Sequence, residues 1–252
     1  MNSQDDPNVR IQPWLDGPIP DPSAPEVAVL VSGGIDSAIL TVHLRKTFVR
    51  VHPVYVRFGL RWEDAELAAL REYLSAVRLR VDGIEPLVVF DEPIRDIYGH
   101  HWSTDGATVP EVGTPDEAVY LPGRNLLLTV KASIWCRLHG IGALALGCLG
   151  SNPFPDSTPK FYRDLQAVLN LAVAGSIRLI RPFDQLHKAE VLKLGRELPL
   201  QLTLSCVDPI DGIHCGSCSK CAERHDGFLD AGMVDRTTYA TPTPPSLSNL
   251  AT

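Results

Sequence analysis

Residues 27–40 read VAVLVSGGIDSAIL, and the break inside this stretch sets strong limits on the fold. Residues 27–31 are small or β-branched and apolar, as suits a strand buried on both faces. The run stops at Ser32-Gly33-Gly34, and a different apolar pattern resumes after Asp36-Ser37. A buried strand that turns at once into a helix needs a tight, permissive backbone. Glycines let the N–H groups point inward with no Cβ in the way. The helix N-terminus behind them adds partial positive charge. Ser32, Gly33, Gly34, Ile35, Asp36 and Ser37 therefore read as a cradle for a phosphate chain, with the Ser32 and Ser37 hydroxyls as further donors. Neither GxxxxGK[ST] nor GxGxxG is present, so this is another kind of phosphate loop.

The rest of the chain alternates. Strands are predicted over 51–57, 85–90, 143–147 and 177–181, after the first at 27–31. Helices are predicted over 38–45, 62–77, 125–139, 159–173 and 187–198. Leu67, Leu70 and Leu74 share one face of the second helix. Strands alternating with helices predict a doubly wound α/β fold, its sheet mostly parallel. Such sheets bind ligands at the carboxyl ends of their strands, where residues 32–37 fall. Residues 91–120 carry Gly, Pro, His and Trp without period, as a functional loop would. His100-His101-Trp102 within it reads as a lid or a solvated loop.

The 252 residues are expected to divide into an extended or disordered arm over 1–25, an α/β domain carrying the phosphate loop over 26–200, a C-terminal cysteine-bearing helical region over 201–235 and a flexible tail over 236–252. Repeated Pro in the arm and tail blocks both helix and ladder hydrogen bonds. The net charge of −7 argues against direct nucleic-acid binding. The acidic, Pro-rich N-terminus is unlike a signal peptide, and no apolar run approaches the ~20 residues of a membrane helix, so a cytoplasmic protein is expected.

Six cysteines without a signal peptide suggest a reducing compartment. Cys206, Cys215, Cys218 and Cys221 follow C-x8-C-x2-C-x2-C. Zinc takes four tetrahedral ligands, and thiolates on a tight knuckle supply them. Four protein ligands leave no place for water, which makes the metal structural. Gly216 marks the sharp turn, and His214 and His225 read as neighbours of the cluster. Cys136 and Cys148 sit in apolar surroundings and read as core thiols.

The string SGGIDS resembles the PP-loop of the ATP pyrophosphatase superfamily, whose members attack the α-phosphorus of ATP. With it, LSCVDPIDGIHCGSCSKCAER near the C-terminus resembles the 7-cyano-7-deazaguanine synthase family. RFGLRWEDAE, YLPGRNLLLTVKA, NPFPDSTPKF and RPFDQLHKAEVLKLG fit that family in order, so the resemblance covers about residues 27–230. It implies an ATP-dependent ligase that adenylates a carboxylate, aminates it with ammonia and dehydrates the amide to a nitrile. It also implies a homodimer with one structural zinc, using ATP with Mg²⁺ and a small-molecule carboxylate. Arg124 is a forked donor suited to phosphate or carboxylate. Lys188 begins a helix, where a cation opposes the dipole, which points to an anion nearby. Asp36, Arg124 and Lys188 are therefore the expected catalytic residues. Arg57 joins the ATP-binding set, and Arg61 is a weaker candidate.

The chain departs from the family pattern at Leu60 and Trp62, where Gln and His are usual, and at Leu204 and Val207, where Trp and Tyr are usual. The segment before Pro155-Asp156 also differs, reading Gly150-Ser151-Asn152-Pro153-Phe154. Losing polar partners for a purine edge changes selectivity more than chemistry. Alternative readings are a diverged relative that adenylates another carboxylate and a nucleotide-binding zinc module without turnover. A tRNA thiolase is disfavoured by the net charge and by the placing of four cysteines in one cluster.

Overall fold

A computed structural model of the chain describes residues 26–241 apart from 106–108, 111–112, 115 and 151. The expected arm over 1–25 and the tail beyond 241 lie outside these residues. Strands β1 (Val27–Leu30), β2 (Val51–Arg57), β3 (Val88–Asp91), β4 (Ala143–Ala145) and β5 (Arg178–Ile180) form one sheet in the order β3-β2-β1-β4-β5. Every adjacent pair is parallel. Neighbours of the central strand thus come from both halves of the chain, and the order reverses between β1 and β4.

The strand period of two accounts for the layers. Val27, Val29 and Val31 point to one face and join a core with helices α1 (Ile35–His43) and α2 (Glu63–Arg78). The same core includes α7 (Lys188–Leu194) and α8 (Ser219–Asp230). Ala28 points to the other face, with Ala132 and Cys136 of α5 (Arg124–Leu138). Helix α6 (Pro159–Ala172) follows β4, its first turn capped by Thr158 Oγ1, which accepts from Phe161 N. Burial on both faces makes the strands read as continuous apolar runs rather than alternating ones.

Helix α1 begins three residues earlier than its apolar pattern suggests, because Gly34 in extended conformation caps it directly. Helix α7 stops at Leu194. There Gly195 lies so close to α1 that a Cβ would fall 2.5 Å from Ile39 Cγ1. Inside the long segment over 91–120 stand two single-turn helices, α3 (Arg95–Tyr98) and α4 (Trp102–Asp105), too short to show a period. Residues 236–241, expected in the flexible tail, are tied back. Tyr239 pairs with His214, Ala240 N donates to His214 O, and Thr241 N to Cys215 O. No helix among the described residues is long and apolar enough to cross a membrane.

Candidate active site

A cavity of about 320 Å³ opens at the carboxyl ends of β1, β2 and β4, beside the point where strand order reverses. This is where open parallel sheets hold ligands, and the volume is of ligand size. Residues 32 and 34–37 form one wall. Residues 204, 205, 207, 220, 223 and 224 also line the cavity.

The loop is built from the inside. Gly33 adopts φ +74°, a left-handed conformation that other residues take only with strain. Ser37 Oγ accepts from Ser32 N at 3.1 Å and donates to Gly34 O at 3.2 Å, which closes the turn on itself. Gly33 O accepts from Leu204 N, fastening the loop to the C-terminal segment. Ile35 buries its side chain in the core, so only its backbone is left for a ligand. The first-turn amides of α1 have no partner inside the helix and face the cavity end of the strand.

The anion that Lys188 called for is Asp36. Lys188 Nζ donates to Asp36 Oδ1 at 2.9 Å and Oδ2 at 2.7 Å, joining the starts of α7 and α1. Burial pulls the Lys188 ammonium down, but the charges of Asp36 and Glu223 more than offset it and leave its pKa raised. Arg124 starts α5 and lines the cavity, with its Nε buried and without a hydrogen-bond partner. Asp156 braces that helix start, its Oδ2 accepting from Asn125 N at 3.0 Å. Ser32, Gly34, Ile35, Asp36, Ser37, Arg124 and Lys188 thus share one cavity. Arg57 is not among its lining residues. It is held by Glu63 at 2.9 Å and Asp64 at 3.3 Å. Arg61 pairs with Asp208 at 2.9 Å.

Three functional-looking groups were not legible in sequence. Glu66 is 8% exposed, lines the cavity and accepts from Tyr55 Oη at 2.5 Å. Burial raises its pKa to about 7, against the opposing effects of the Tyr55 hydrogen bond and the Arg124 charge. Arg224 is 1% exposed and donates to Thr203 Oγ1, Ser205 Oγ, Leu200 O and Thr237 Oγ1. Cys148, expected in the core, stands in the cavity wall beside Tyr162 Oη at 3.3 Å, and burial pushes its thiol up. Cys136 is fully buried, its thiol raised by burial to about 12.

The Sγ atoms of Cys206, Cys215, Cys218 and Cys221 all lie within 4.8 Å of one another, and all four residues are buried. Two separations are 3.8 and 3.9 Å. A tetrahedral centre with metal–sulfur bonds of ~2.3 Å has sulfur–sulfur edges of about 3.8 Å. Backbone N–H groups of Asp208 and Cys215 donate to Cys206 Sγ, and those of Ser217 and Cys218 to Cys215 Sγ. These donors stabilise thiolates, so the set fits a tetrahedral metal. His214 is not part of it: its Nε2 accepts from Ser205 N, and burial lowers its pKa to about 3. His225 faces Asp235 at 3.7 Å.

The four positions that depart from the family pattern, Leu60, Trp62, Leu204 and Val207, all line the cavity. With Phe58 they form its apolar end, continuous with the cysteine cluster. Trp102 of α4 stacks on Trp62 at 5.5 Å, so the His100–Trp102 segment backs the cavity wall.

A parallel α/β sheet carrying a glycine turn and a lysine–aspartate pair at its switch point is joined to a lobe with four clustered thiols. Residues 26–232 match the family described as "Queuosine biosynthesis protein QueC". The chain is 33% identical over 226 residues to the 7-cyano-7-deazaguanine synthase of Xanthomonas campestris pv. campestris (strain B100), covering 85% of this chain and 98% of that protein. It is 31% identical over 232 residues to the synthase of that name from Novosphingobium aromaticivorans, covering 87% and 97%. A solved structure, a predicted subunit of tRNA methyltransferase from Methanocaldococcus jannaschii, is 19% identical with TM-score 0.44, covering 68% of this chain and 73% of that one. That likeness is too remote to bear on the site. The chain belongs to the QueC family.

Proposed function

We propose that this protein is an ATP-dependent carbon–nitrogen ligase that converts 7-carboxy-7-deazaguanine to 7-cyano-7-deazaguanine in queuosine biosynthesis. The observation that carries the reading is the glycine loop at the switch point, lining one cavity with Arg124, whose buried Nε has no partner. A carboxylate is a poor electrophile because its leaving group would be oxide. Transfer of AMP to it makes a mixed anhydride with a good leaving group. That step asks for phosphate positioning and positive charge rather than a protein nucleophile. The amides of residues 33–36 hold the pyrophosphate portion, with Ser32 and Ser37 keeping the turn in shape. Lys188 fixes Asp36 and offers a cation beside the phosphates. Arg124 binds the charge that develops between ATP and carboxylate. Ammonia then displaces AMP, and the amide oxygen is activated in a second round.

Mg²⁺ enters as the counter-ion of ATP. Zinc on Cys206, Cys215, Cys218 and Cys221 would be structural, holding residues 204–207 and 220–224 against the cavity. On this reading 26–200 is the catalytic domain and 201–235 the metal-holding region. The active form is a cytoplasmic homodimer that makes no direct contact with nucleic acid.

The test is incubation of zinc-loaded protein with ATP, Mg²⁺, ammonia and 7-carboxy-7-deazaguanine, followed by mass spectrometry. The nitrile and two AMP per nitrile are expected. Bound nucleotide without product favours a second reading, adenylation of a different carboxylate. The wall of Leu60, Trp62, Leu204 and Val207 supports that alternative, since three of its four side chains are aliphatic and only the Trp62 indole N–H can reach a purine edge. Exchange of labelled pyrophosphate into ATP without any net product would identify adenylation alone.

A further inference from the structure

We propose that Glu66 is the proton acceptor for the nitrogen during amination and dehydration. The inference rests on the ligase reading above.

Ammonia carries three N–H bonds and the nitrile none. When ammonia attacks the acyl adenylate, the C–N bond forms, the C–O bond to AMP breaks and one proton leaves nitrogen. When the amide oxygen takes a second AMP group from ATP, pyrophosphate leaves and a second N–H proton goes. When the C–O bond to that AMP breaks, the third leaves and the triple bond is complete. Each of these protons needs an acceptor inside the cavity.

Among the described residues, the carboxylates lining the cavity are Asp36, Glu66 and Glu223. Asp36 is gripped by Lys188 at 2.7 Å, and Glu223 by Lys220 at 2.6 Å. Glu66 has no cation at bonding distance and is held by neutral donors, the Tyr55 phenol and the Trp62 side chain. Its Cγ packs so tightly on the loop that a Cβ on Gly33 would sit 2.8 Å away. The group is therefore beside the phosphate cradle and fixed from behind, and not committed to an ion pair.

The groups facing it are Tyr55 from β2, Trp62 just before its helix, Glu63 from its own helix and Arg124 from α5. Burial raises its pKa to about 7, where a carboxylate can take a proton and return it near neutral pH.

The test compares the parent protein with Glu66→Gln and Tyr55→Phe. The Gln keeps an oxygen to accept from Tyr55. Expected for Glu66→Gln is pyrophosphate exchange into ATP with 7-carboxy-7-deazaguanine within about threefold of the parent, while nitrile formation falls about 10²–10⁴-fold. The acidic limb of the pH–rate profile disappears. Tyr55→Phe removes a bond that favours the charged form, so that limb moves to higher pH. Nitrile formation by Glu66→Gln within about threefold of the parent overturns the proposal. So does equal loss of exchange and synthesis, which would make Glu66 a structural or nucleotide-binding group. A parent without carboxylate-dependent exchange refutes the ligase reading itself, and this inference with it.

Discussion

At the scale of single residues the site is a set of charges whose partners decide what they can do. Arg124 buries an Nε that nothing in the described chain accepts from. A hydrogen bond to a charged group contributes about 1.5–3 kcal/mol, so the missing partner is expected to be the bound anion. Arg124→Lys keeps the charge and loses that donor and the planar fork. Its kcat/KM is expected to fall roughly 10- to 150-fold, read by steady-state kinetics with ATP and carboxylate varied in turn. Lys188→Met removes the clamp on Asp36 and is expected to cost more, since it leaves that carboxylate unpaired beside the phosphate site; its nucleotide affinity checks this. Glu66 carries a pH signature of its own. Its folded pKa, about 7, lies above the ordinary carboxylate value, so its protonated form is favoured by folding. That stabilisation is complete below about pH 4.3 and is lost as pH rises through 7. Glu66→Gln cannot ionise. It is therefore expected to have a higher urea midpoint than the parent at pH 8, and the gap is expected to shrink by pH 5.

Among the elements, the loop and its two glycines carry the sharpest contrast. A Cβ on Gly33 would meet Glu66 Cγ at 2.8 Å and the Glu66 carbonyl at 2.9 Å, on a backbone with φ +74°. Gly33→Ala is expected to destabilise the fold by about 1–2 kcal/mol from backbone strain alone, visible as a lowered melting temperature. Gly34 is different: its added Cβ would meet nothing nearer than Ser32 Oγ at 3.4 Å. Gly34→Ala is expected to melt near the parent and to bind ATP at least tenfold more weakly, because its open space is where phosphate approaches. Equal ATP affinity in calorimetry would remove Gly34 from the cradle. This loop, the sheet and the long helices were legible because each is written in consecutive residues, as period, glycine or cap. Helices α3 and α4 were not, being single turns with no period to show. Nothing in EDAEL marks Glu66 as buried, since a helix start is polar by default. Its burial comes from packing under Gly33, a contact between distant segments that no local pattern encodes. Arg224 was hidden likewise, its partners lying on residues 200–205 and 237.

Across the whole molecule, the cysteine cluster is a structural joint rather than an appendage. Its four residues share an apolar cluster with Phe58, Leu60 and Trp62 from the sheet side. Leu204 and Ser205, beside the first ligand, contact the loop and Arg224. Residues 239–241 fold back on His214 and Cys215. The spacing of the cysteines announced the cluster, but only the fold reveals that it holds one wall of the cavity. On the reading that these thiols hold zinc, removing it has two expected effects from one cause. Four thiols within 4.8 Å of one another would lose the charge that holds them together, and the wall they anchor would loosen. For a chain of this length, each kcal/mol lost lowers the melting temperature by about 2–4 °C. Loss of even ~4 kcal/mol, a fraction of the ~10–16 kcal/mol that zinc contributes to small finger peptides, would lower it by roughly 8–16 °C. ATP affinity is expected to fall with it, because the Leu204-to-Gly33 tether and the Arg224 braces run through the same segment. Melting and calorimetry on protein treated with a strong chelator, then reloaded with zinc, test both. Full ATP affinity in metal-free protein that still melts sharply would separate the two regions and make the cluster an independent lobe.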